Sequence, residues 1–356
     1  MKISNQNQNY SIYQQKPKNP TFKGYFAAPI KELHIQPYSQ DKNVVPFIKE
    51  LQKKCGKYFD IVIQMGDKVT KNTEELVTNN FGYIQSHIFT KWGQDNKLFF
   101  ENGKLGVLEY ADLMSHGKQL GKALQMEVER IGAKIEGGNV FLGKKKNGES
   151  FALIGEYAMT DSNKTTMAKL LHVKPKNLHV ISQPDFHIDM GIRPLAYPYV
   201  LVGDSKLTTN IVRGKIKEED INLLNNARDK YSKDNSYSSA DKMTEELKVH
   251  GFKPIRVPGL AGKESANFMN AIVHQNEDGS LVYITNKPSK TFSKNIGIHF
   301  EDIFKEYLQK EVPEIKEVIF IEGNEYIPFC LTKKGGIHCL TSENPDFELW
   351  NRMLNK

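Results

Sequence analysis

The 356-residue chain predicts an α/β fold, because strand-like and helix-like segments alternate along most of its length. Two dipeptides typical of hairpin turns, Asn147-Gly148 and Asp278-Gly279, add antiparallel pairs to this alternation. The recurring unit is a strand, a hairpin partner, a helix and another strand, and it appears about five times with a period of roughly 60–70 residues. Pattern alone leaves open whether such units form a doubly wound sheet or close radially.

The individual elements follow from local composition. Short runs rich in β-branched and aromatic residues predict strands at 58–64, 97–101, 105–108, 140–142, 150–154, 178–183, 199–203, 252–257, 271–274, 281–285 and 317–321. Apolar residues at helical spacing predict helices at 45–54, 117–131, 163–171, 217–231, 241–249 and 299–308. A glycine turn joins the strands at 97–101 and 105–108.

Composition limits the class of protein. Residues 1–24 are rich in Asn, Gln and Lys and predict a flexible N-terminal extension, whereas no linker divides 25–356, which we expect to be a single catalytic domain. The basic residues number 49 against 42 acidic ones, but only six are Arg and the Lys residues are scattered, which argues against a nucleic-acid partner. No apolar run approaches the roughly 18 residues of a membrane span.

Three cysteines, without any CxxC pair, argue against a disulfide framework and a structural zinc site. They favour a reducing compartment, and with no secretory signal we expect a cytoplasmic protein, although export by a non-classical route stays open. Cys55 and Cys330 are interpreted as buried apolar residues. Cys339 differs, because the glycines that precede it in Gly335–Thr341 (GGIHCLT) leave room for a substrate.

Three further motifs precede Cys339: Trp92–Asp95 (WGQD), Glu136–Phe141 (EGGNVF) and Phe186–Met190 (FHIDM). His187 and Asp189 are two residues apart on a predicted strand, so their side chains are expected to share a face. That pair is compatible with a metal site, a base with its orienting carboxylate, or an incidental polar edge. Taken singly, Asp95 and Glu136 are polar residues at turns.

The four motifs together supply one thiol, one histidine and three carboxylates, a set suited to attack on a cationic carbon. A thiolate needs a nearby positive charge, which His187 or a cationic substrate would supply. Metal binding by Cys339 with His187 and His338 is an alternative that we weight little, because three carboxylates and one thiol mix hard and soft ligands. We therefore expect no metal and no cofactor.

In this order the motifs resemble the guanidine-modifying superfamily, which contains the arginine, agmatine and peptidyl-arginine deiminases and the arginine amidinotransferases. The WGQD and GGIHCLT motifs are most similar to agmatine deiminases and bacterial peptidyl-arginine deiminases. The resemblance implies the pentein fold, an α/β propeller of five ββαβ-like units around a pseudo-fivefold axis. It also implies hydrolysis of a guanidino group to a ureido group and ammonia, through a covalent thiouronium intermediate.

The resemblance implies a role for each matched residue. Cys339 corresponds to the nucleophile, His187 to the general acid and base, and Glu136 to the acid that supports the histidine or the substrate. The implied substrate-binding residues are Asp95, Asp189, Asn270 and Trp92. The implied partner is a guanidino compound, either a small molecule or an arginine side chain of a protein, and a homodimer is compatible with the family.

The chain also departs from the family pattern. Gln94 stands where many agmatine deiminases have Arg, which slightly favours a larger substrate such as peptidyl arginine. No arginine can be assigned to the carboxylate of free arginine; Arg193 and Arg256 are the nearest candidates, and a structural role for each stays open. An amidinotransferase and a non-catalytic pentein that only binds its ligand are the alternative functions, and the complete set of reactive residues argues against the second.

Overall fold

The computed structural model describes residues 27–37, 41, 43–65, 76, 82–85, 90–108, 116–132, 135–159, 162–235, 237–260, 266–290 and 298–355. The predicted extension at 1–24 lies outside them. The strands are β1 (Ile30–Ile35), β2 (Asp60–Met65), β3 (Gly82–Gln85), β4 (Lys97–Phe99), β5 (Lys104–Leu108), β6 (Glu127–Ile131), β7 (Val140–Lys144), β8 (Ser150–Gly155), β9 (Leu178–Ile181), β10 (Ile192–Pro194), β11 (Tyr199–Asp204), β12 (Lys253–Pro258), β13 (Ile272–Gln275), β14 (Leu281–Asn286), β15 (Ile315–Ile321) and β16 (Thr341–Pro345).

The helices complete a mixed α/β structure, as predicted. They are α1 (Val44–Cys55), α2 (His116–Leu124), α3 (Lys164–Leu170), α4 (Ser205–Val212), α5 (Glu218–Asn235), α6 (Ala240–Val249), α7 (Phe300–Glu311), α8 (Tyr326–Thr332), α9 (Ile337–Leu340) and α10 (Phe347–Leu354). Within the described residues, no helix combines the length and apolar composition that a bilayer span needs.

Four small sheets repeat one arrangement, in the strand orders β4-β5-β6, β7-β8-β9, β10-β11-β12 and β13-β14-β15. In each sheet the first two strands pair antiparallel and the last two pair parallel. Helices connect the parallel strands, because a parallel pair cannot be joined by a tight turn. The recurring unit predicted from the pattern is therefore confirmed.

The fifth sheet joins distant parts of the chain, in the order β16-β1-β2-β3. β16 pairs antiparallel with β1, and β1 pairs parallel with β2, so this sheet repeats the arrangement of the other four with one additional strand, β3. The difference is that its first strand comes from the far end of the sequence. This closure was not predicted, because β16 is polar and ends in proline.

Both predicted hairpin turns are present. β7 and β8 form one antiparallel pair, and β13 and β14 form the other. Gly148 and Gly279 have φ values of +80° and +83°, a region that costs glycine little and other residues more. These turns fix the register of the two pairs.

The helix predicted over 117–131 is wrong in its second half. The structure has α2 up to Leu124 and then β6, which pairs parallel with β5. Gln125 ends the helix with a φ of +57°, and the Met126 amide donates to the Gly121 carbonyl oxygen at 2.9 Å. This hydrogen bond is that of a Schellman motif, which turns the chain out of the helix.

The segment that carries Cys339 is fixed in the largest apolar cluster. Ile337 and Leu340 of α9 are buried there with side chains of α1, β1 and β2. Burying side chains of this size contributes roughly 1.5–3 kcal/mol each. The short helix α9, which could not persist alone, is therefore held by packing on both sides of Cys339.

Candidate active site

The predicted site residues lie at one equivalent position in each of the five sheets. Each residue, or pair of residues, lies shortly before the first strand of its sheet, as follows: Asp95 before β4, Glu136 before β7, His187 and Asp189 before β10, Asn270 before β13, and Cys339 before β16. No single motif reveals this equivalence. A comparison of motif positions within the recurring unit would have found it in the sequence.

The structure brings His187, Asp189 and Cys339 together. One ligand-type atom from each of the three lies within 4.8 Å of the other two, and all three residues are buried. The strand predicted for this motif is wrong, because residues 188–190 form a single 3₁₀ turn in which His187 is the extended residue before the turn. The 3₁₀ turn, rather than the side-chain alternation of a strand, brings the side chains of His187 and Asp189 into the same site.

The thiol of Cys339 is held in a closed, negatively charged environment. Its residue is 1% exposed, and its Sγ lies 3.0 Å from Asn270 Nδ2 and 3.7 Å from Asp189 Oδ2. Burial raises the pKa of the Cys339 thiol well above its usual value, and the charges of Asp189 and Asp95 raise it further. In the free protein the thiol therefore keeps its proton at neutral pH, and an arriving cation would favour the thiolate.

Asn270 connects the nucleophile to its neighbours. Its Nδ2 donates to Asp189 Oδ2 at 2.8 Å and lies near Cys339 Sγ, while its Oδ1 accepts from the backbone amides of His338 at 3.0 Å and Cys339 at 3.3 Å. Gly336 is required beside it, because a Cβ there would overlap the Asn270 side chain. One amide thus orients both the nucleophile and a carboxylate.

Sequence reasoning missed Asn286 at this place. Its Nδ2 donates to the backbone oxygens of Asn267 and Asn270 at 2.8 Å each, and its Oδ1 accepts from the Ile337 amide at 2.7 Å. Asn286 therefore braces the backbone before α9. It acts on main-chain groups from the end of a strand, so no motif or spacing in the sequence marks it.

The imidazole of His187 is positioned by a carboxylate. Its Nε2 lies 2.5 Å from Glu136 Oε2, and its Nδ1 lies 3.9 Å from Asp95 Oδ1. Burial lowers the pKa of His187, but the Glu136 hydrogen bond and the charges of Asp95 and Asp189 outweigh it and raise that pKa to about 9. The ring is therefore protonated at neutral pH. Gly138 lies against Nδ1 and leaves no room for a Cβ.

The carboxylates of Asp95 and Glu136 differ in protonation. Burial raises the pKa of Asp95 to about 7, although the Gly138 amide donates to its Oδ1 at 3.3 Å. The hydrogen bond with His187 lowers the pKa of Glu136. Glu136 is thus the permanent counter-charge of the histidine, whereas Asp95 can exchange a proton near neutral pH.

Asp189 is fully buried, and only one of its two carboxylate oxygens accepts hydrogen bonds from the described residues. Its Oδ2 accepts from His338 Nδ1 at 2.7 Å as well as from Asn270, but its Oδ1 has no hydrogen-bond partner among the described residues. A buried acceptor without a partner is costly, so Oδ1 is suited to an N–H donor of a ligand. His338, considered at the sequence level only as a metal ligand, is instead the group that orients Asp189.

Trp92 reaches the site through the glycines before Cys339. Its indole ring lies against Gly335, where a Cβ would overlap the ring. The ring also packs on the cluster that contains Ile337. The contacts of Trp92 are therefore with the segment that carries the nucleophile, and its predicted contact with substrate stays a prediction.

The donor set was also tested against a metal ion. His187 Nδ1 has no partner among the described residues, so His187, Asp189 and Cys339 could offer one atom each. The Asn270 amide, however, already donates to Asp189 Oδ2 and lies beside the Cys339 sulfur, and an ion bridging those two atoms would displace it. The arrangement suits a ligand that brings hydrogen-bond donors better than one that needs acceptors.

The fold is that of agmatine deiminases of known structure, as the resemblance to the guanidine-modifying superfamily led us to expect. A C. jejuni agmatine deiminase has a TM-score of 0.61 and 18% identity, covering 95% of this chain and 99% of that chain. The agmatine deiminase of Enterococcus faecalis has a TM-score of 0.60 and 10% identity, covering 91% and 95% of the two chains. No protein-family model and no curated protein matches the sequence. At these identities the likeness establishes the fold, and the activity has to be argued from the site.

Proposed function

We propose that the protein is a pentein deiminase, which hydrolyses a guanidino group to a ureido group with release of ammonia. In this interpretation the five sheets are the units of the α/β propeller, and the residues before their first strands meet around its axis. The observation that carries the proposal is the convergence of the Cys339 thiol, the His187 imidazole and the free oxygen of Asp189 within one buried site.

Binding follows from charge and hydrogen-bond geometry. A guanidinium is planar, permanently charged and rich in N–H donors, which is what a set of buried carboxylates requires. In the proposal, Asp189 Oδ1 and Asp95 accept N–H groups of the substrate and hold its central carbon near Cys339 Sγ. Fixing the carbon in this way supplies much of the rate enhancement by proximity alone.

The first half-reaction uses the charge of the substrate. As the guanidinium binds beside Cys339, its charge lowers the thiol pKa, and the thiol proton leaves to bulk water. The thiolate then forms the S–C bond, and protonated His187 donates from Nδ1 to the leaving amine, which departs as ammonia. Glu136 stabilises the imidazolium beforehand through Nε2. The product of this half is a thiouronium on Cys339.

The second half-reaction reverses the role of the histidine. Neutral His187 accepts a proton from water, whose oxygen bonds to the thiouronium carbon. The C–S bond then breaks, the sulfur leaves as thiolate, and the surplus proton of the ureido product ends on ammonia as ammonium. After the product leaves, the thiolate takes back a proton from bulk water, which restores the resting thiol. Covalent catalysis thus divides one difficult hydrolysis into two easier steps.

For the substrate we propose a small guanidino compound, and agmatine, after which both similar enzymes are named, is the first to test. Neither candidate arginine is placed to bind the α-carboxylate of a substrate held at Cys339, since Arg193 lines a different cavity and Arg256 pairs with Asp204 at 2.6 Å. Gln94 donates to the Gly137 carbonyl oxygen at 3.3 Å, so it braces the turn after Glu136 and lends no support to a larger substrate. Cytoplasmic location and a homodimer stay predictions.

The test is mass spectrometry of products from wild type and Cys339→Ala, offered agmatine, free arginine and a blocked arginine peptide. We expect a gain of about one dalton and release of ammonia with the wild type only. Cys330→Ala is the matched control, because it removes another buried thiol from the core and should keep activity. Turnover by Cys339→Ala would refute the nucleophile, and failure of all three substrates would refute the deiminase.

The complete set of site residues is also that of an amidinotransferase. Adding an acceptor amine to the same assay separates the two functions, because a transferase converts the acceptor instead of releasing ammonia. Metal analysis of the purified protein, with and without a chelator, tests the metal interpretation. Activity that disappears with the chelator and returns with a metal ion would overturn the metal-free mechanism.

A further inference from the structure

A cavity of about 380 Å³, which we call the rear cavity, lies outside the group of predicted site residues. This rear cavity is bounded by residues of β4, β7, β10 and β16, and its apolar walls include Leu98, Phe99, Phe141, Phe347 and Trp350. None of the predicted catalytic or substrate-binding residues lines it, but Gln94 and His338, which are next to Asp95 and Cys339 in sequence, do. Its volume is within the range of small-molecule sites.

Arg193 lines this cavity and is incompletely satisfied. It is 4% exposed, its Nη2 donates to Glu343 Oε1 at 2.7 Å, and its Nε and Nη1 have no partner among the described residues. Its guanidinium lies 5.3 Å from the centre of the Phe141 ring. A buried cation with unused donors is costly unless an acceptor reaches it. Arg193 therefore needs an acceptor that Glu343 alone does not supply.

The charges around the rear cavity favour an anion. Its lining contains three cations, Lys97, Lys144 and Arg193, against two carboxylates, Glu101 and Glu343. Lys144 pairs with Glu101 and Arg193 with Glu343, while Lys97 is 1% exposed and donates to Gln64 Oε1 at 2.8 Å with no carboxylate partner in the described part of the chain. Burial lowers the pKa of Lys97 to about 7, so the cavity has one uncompensated cation when Lys97 is protonated, and a bound anion would hold it in that form.

We propose that the rear cavity is a binding site for a small organic monocarboxylate, whose carboxylate accepts from Arg193 and whose apolar body packs between the aromatic walls. A single negative charge matches the one cation, Lys97, that binding would keep protonated, whereas a dianion such as phosphate would be buried with its second charge uncompensated. The carboxylate accepts the unused N–H donors in charge-assisted hydrogen bonds. The proposal is independent of the deiminase activity.

Isothermal titration calorimetry with three probes tests it: benzoate, its neutral analogue benzamide and inorganic phosphate. We expect benzoate to bind the wild type and Cys339→Ala equally, and benzamide and phosphate to bind at least tenfold more weakly. Arg193→Gln should weaken benzoate binding tenfold or more. Arg256→Gln is the control, because Arg256 also pairs with buried carboxylate but lies outside this cavity.

A second variant covers the case in which Arg193→Gln does not fold. Ala28 lines the cavity, so Ala28→Leu should fill part of it and weaken benzoate binding while leaving every charge in place. The proposal is overturned if benzoate does not bind the wild type, or if benzamide or phosphate binds as tightly. It is equally overturned if folded Arg193→Gln or Ala28→Leu binds benzoate as the wild type does.

Discussion

The candidate active site and the rear cavity are built from neighbouring parts of the same units but carry opposite charge. The active site gathers residues that precede the first strands, and its three carboxylates exceed its one histidine. The rear cavity is lined by four of those first strands, β4, β7, β10 and β16, and its cations exceed its carboxylates. His338 lies between the two regions, since it lines the cavity and contacts Asp189. In our two proposals, residues before the first strands bind a cation, and residues on those strands bind an anion.

The largest expected effect distinguishes two buried thiols, Cys339 in the candidate site and Cys330 in the core. Cys339→Ala should lower turnover roughly 10³-fold or more, because no other group can form the covalent intermediate. Cys330→Ala should leave turnover within about twofold and lower the melting temperature by a few degrees. Steady-state kinetics and thermal unfolding measure both. Equal losses of activity in the two variants would mean that the cysteine effect is structural.

Asp189→Asn is expected to be nearly as damaging. It removes the negative charge that we expect to bind the substrate, and it leaves His338 Nδ1 facing a neutral amide. Loss of one partner of a buried pair costs about 3–5 kcal/mol of unfolding free energy. We expect kcat/KM to fall roughly 10²–10³-fold. A variant with unchanged KM and kcat would show that the substrate cation binds elsewhere.

Asn270→Ala sharpens the comparison between positioning and stability. Loss of the amide removes one of the two donors to Asp189 Oδ2 and leaves two backbone amides unsatisfied, which costs about 1–3 kcal/mol of unfolding free energy and should lower kcat about a hundredfold. Asn177→Ala is the control, since Asn177 is equally buried and donates to the Ser150 carbonyl oxygen far along the chain from the site. It should lose similar stability with activity kept; if both variants lose activity alike, Asn270 has no specific role.

The pH dependence follows from His187, whose pKa of about 9 lies above its usual value despite burial. Turnover needs the imidazolium, so it should fall as pH rises through about 9. The contact with Glu136 likewise contributes stability that is fully present below pH 6.5 and is lost as pH rises through about 9.

Glu136→Gln should therefore move the alkaline limb of kcat/KM to lower pH and flatten the dependence of the melting temperature on pH. Kinetics and thermal unfolding across pH 6–10 provide the measurement. An alkaline limb at the same pH in both proteins would contradict the assignment of His187.

The smallest effect should come from the rear cavity. Arg193→Lys keeps the positive charge in the rear cavity, so turnover of the guanidino substrate should stay within about threefold of the wild type. Both proteins are assayed over the same series of substrate concentrations. A larger loss would show that the two regions are coupled through His338 and Glu343, whose Nε2 and Oε1 lie 3.7 Å apart.

The sequence grouped residues that the structure brings together, but it predicted the path of the backbone less well; the roles of those residues stay predictions. Cys339, His187 and Asp189 were found because reactive side chains in glycine-rich or apolar settings are uncommon. Asn286 was not, since it acts on main-chain amides, and the 3₁₀ turn after His187 was mistaken for a strand because its apolar alternation imitates one.

For the fold, features set by local sequence were predicted better than features set by distant parts of the chain. Local signals such as Gly148 and Gly279 placed the hairpins correctly, and all three strands were predicted for two of the five sheets, β7-β8-β9 and β13-β14-β15. The pairing of β16 with β1 joins residues about as far apart as the chain allows, and nothing local in Thr341–Pro345 marks a strand. Likewise β6 was merged into α2, because a left-handed residue at Gln125 is invisible to apolar periodicity.

The closure of the fifth sheet also sets an order in time. β16 follows every other strand along the polypeptide, and Cys339 directly precedes it, so the ribosome delivers the nucleophile after all four other sheets. A nascent chain therefore holds its carboxylates and histidine without a reactive sulfur between them. Among the described strands β16 comes last along the chain, and it completes the fifth sheet directly after the residue that we propose as the nucleophile.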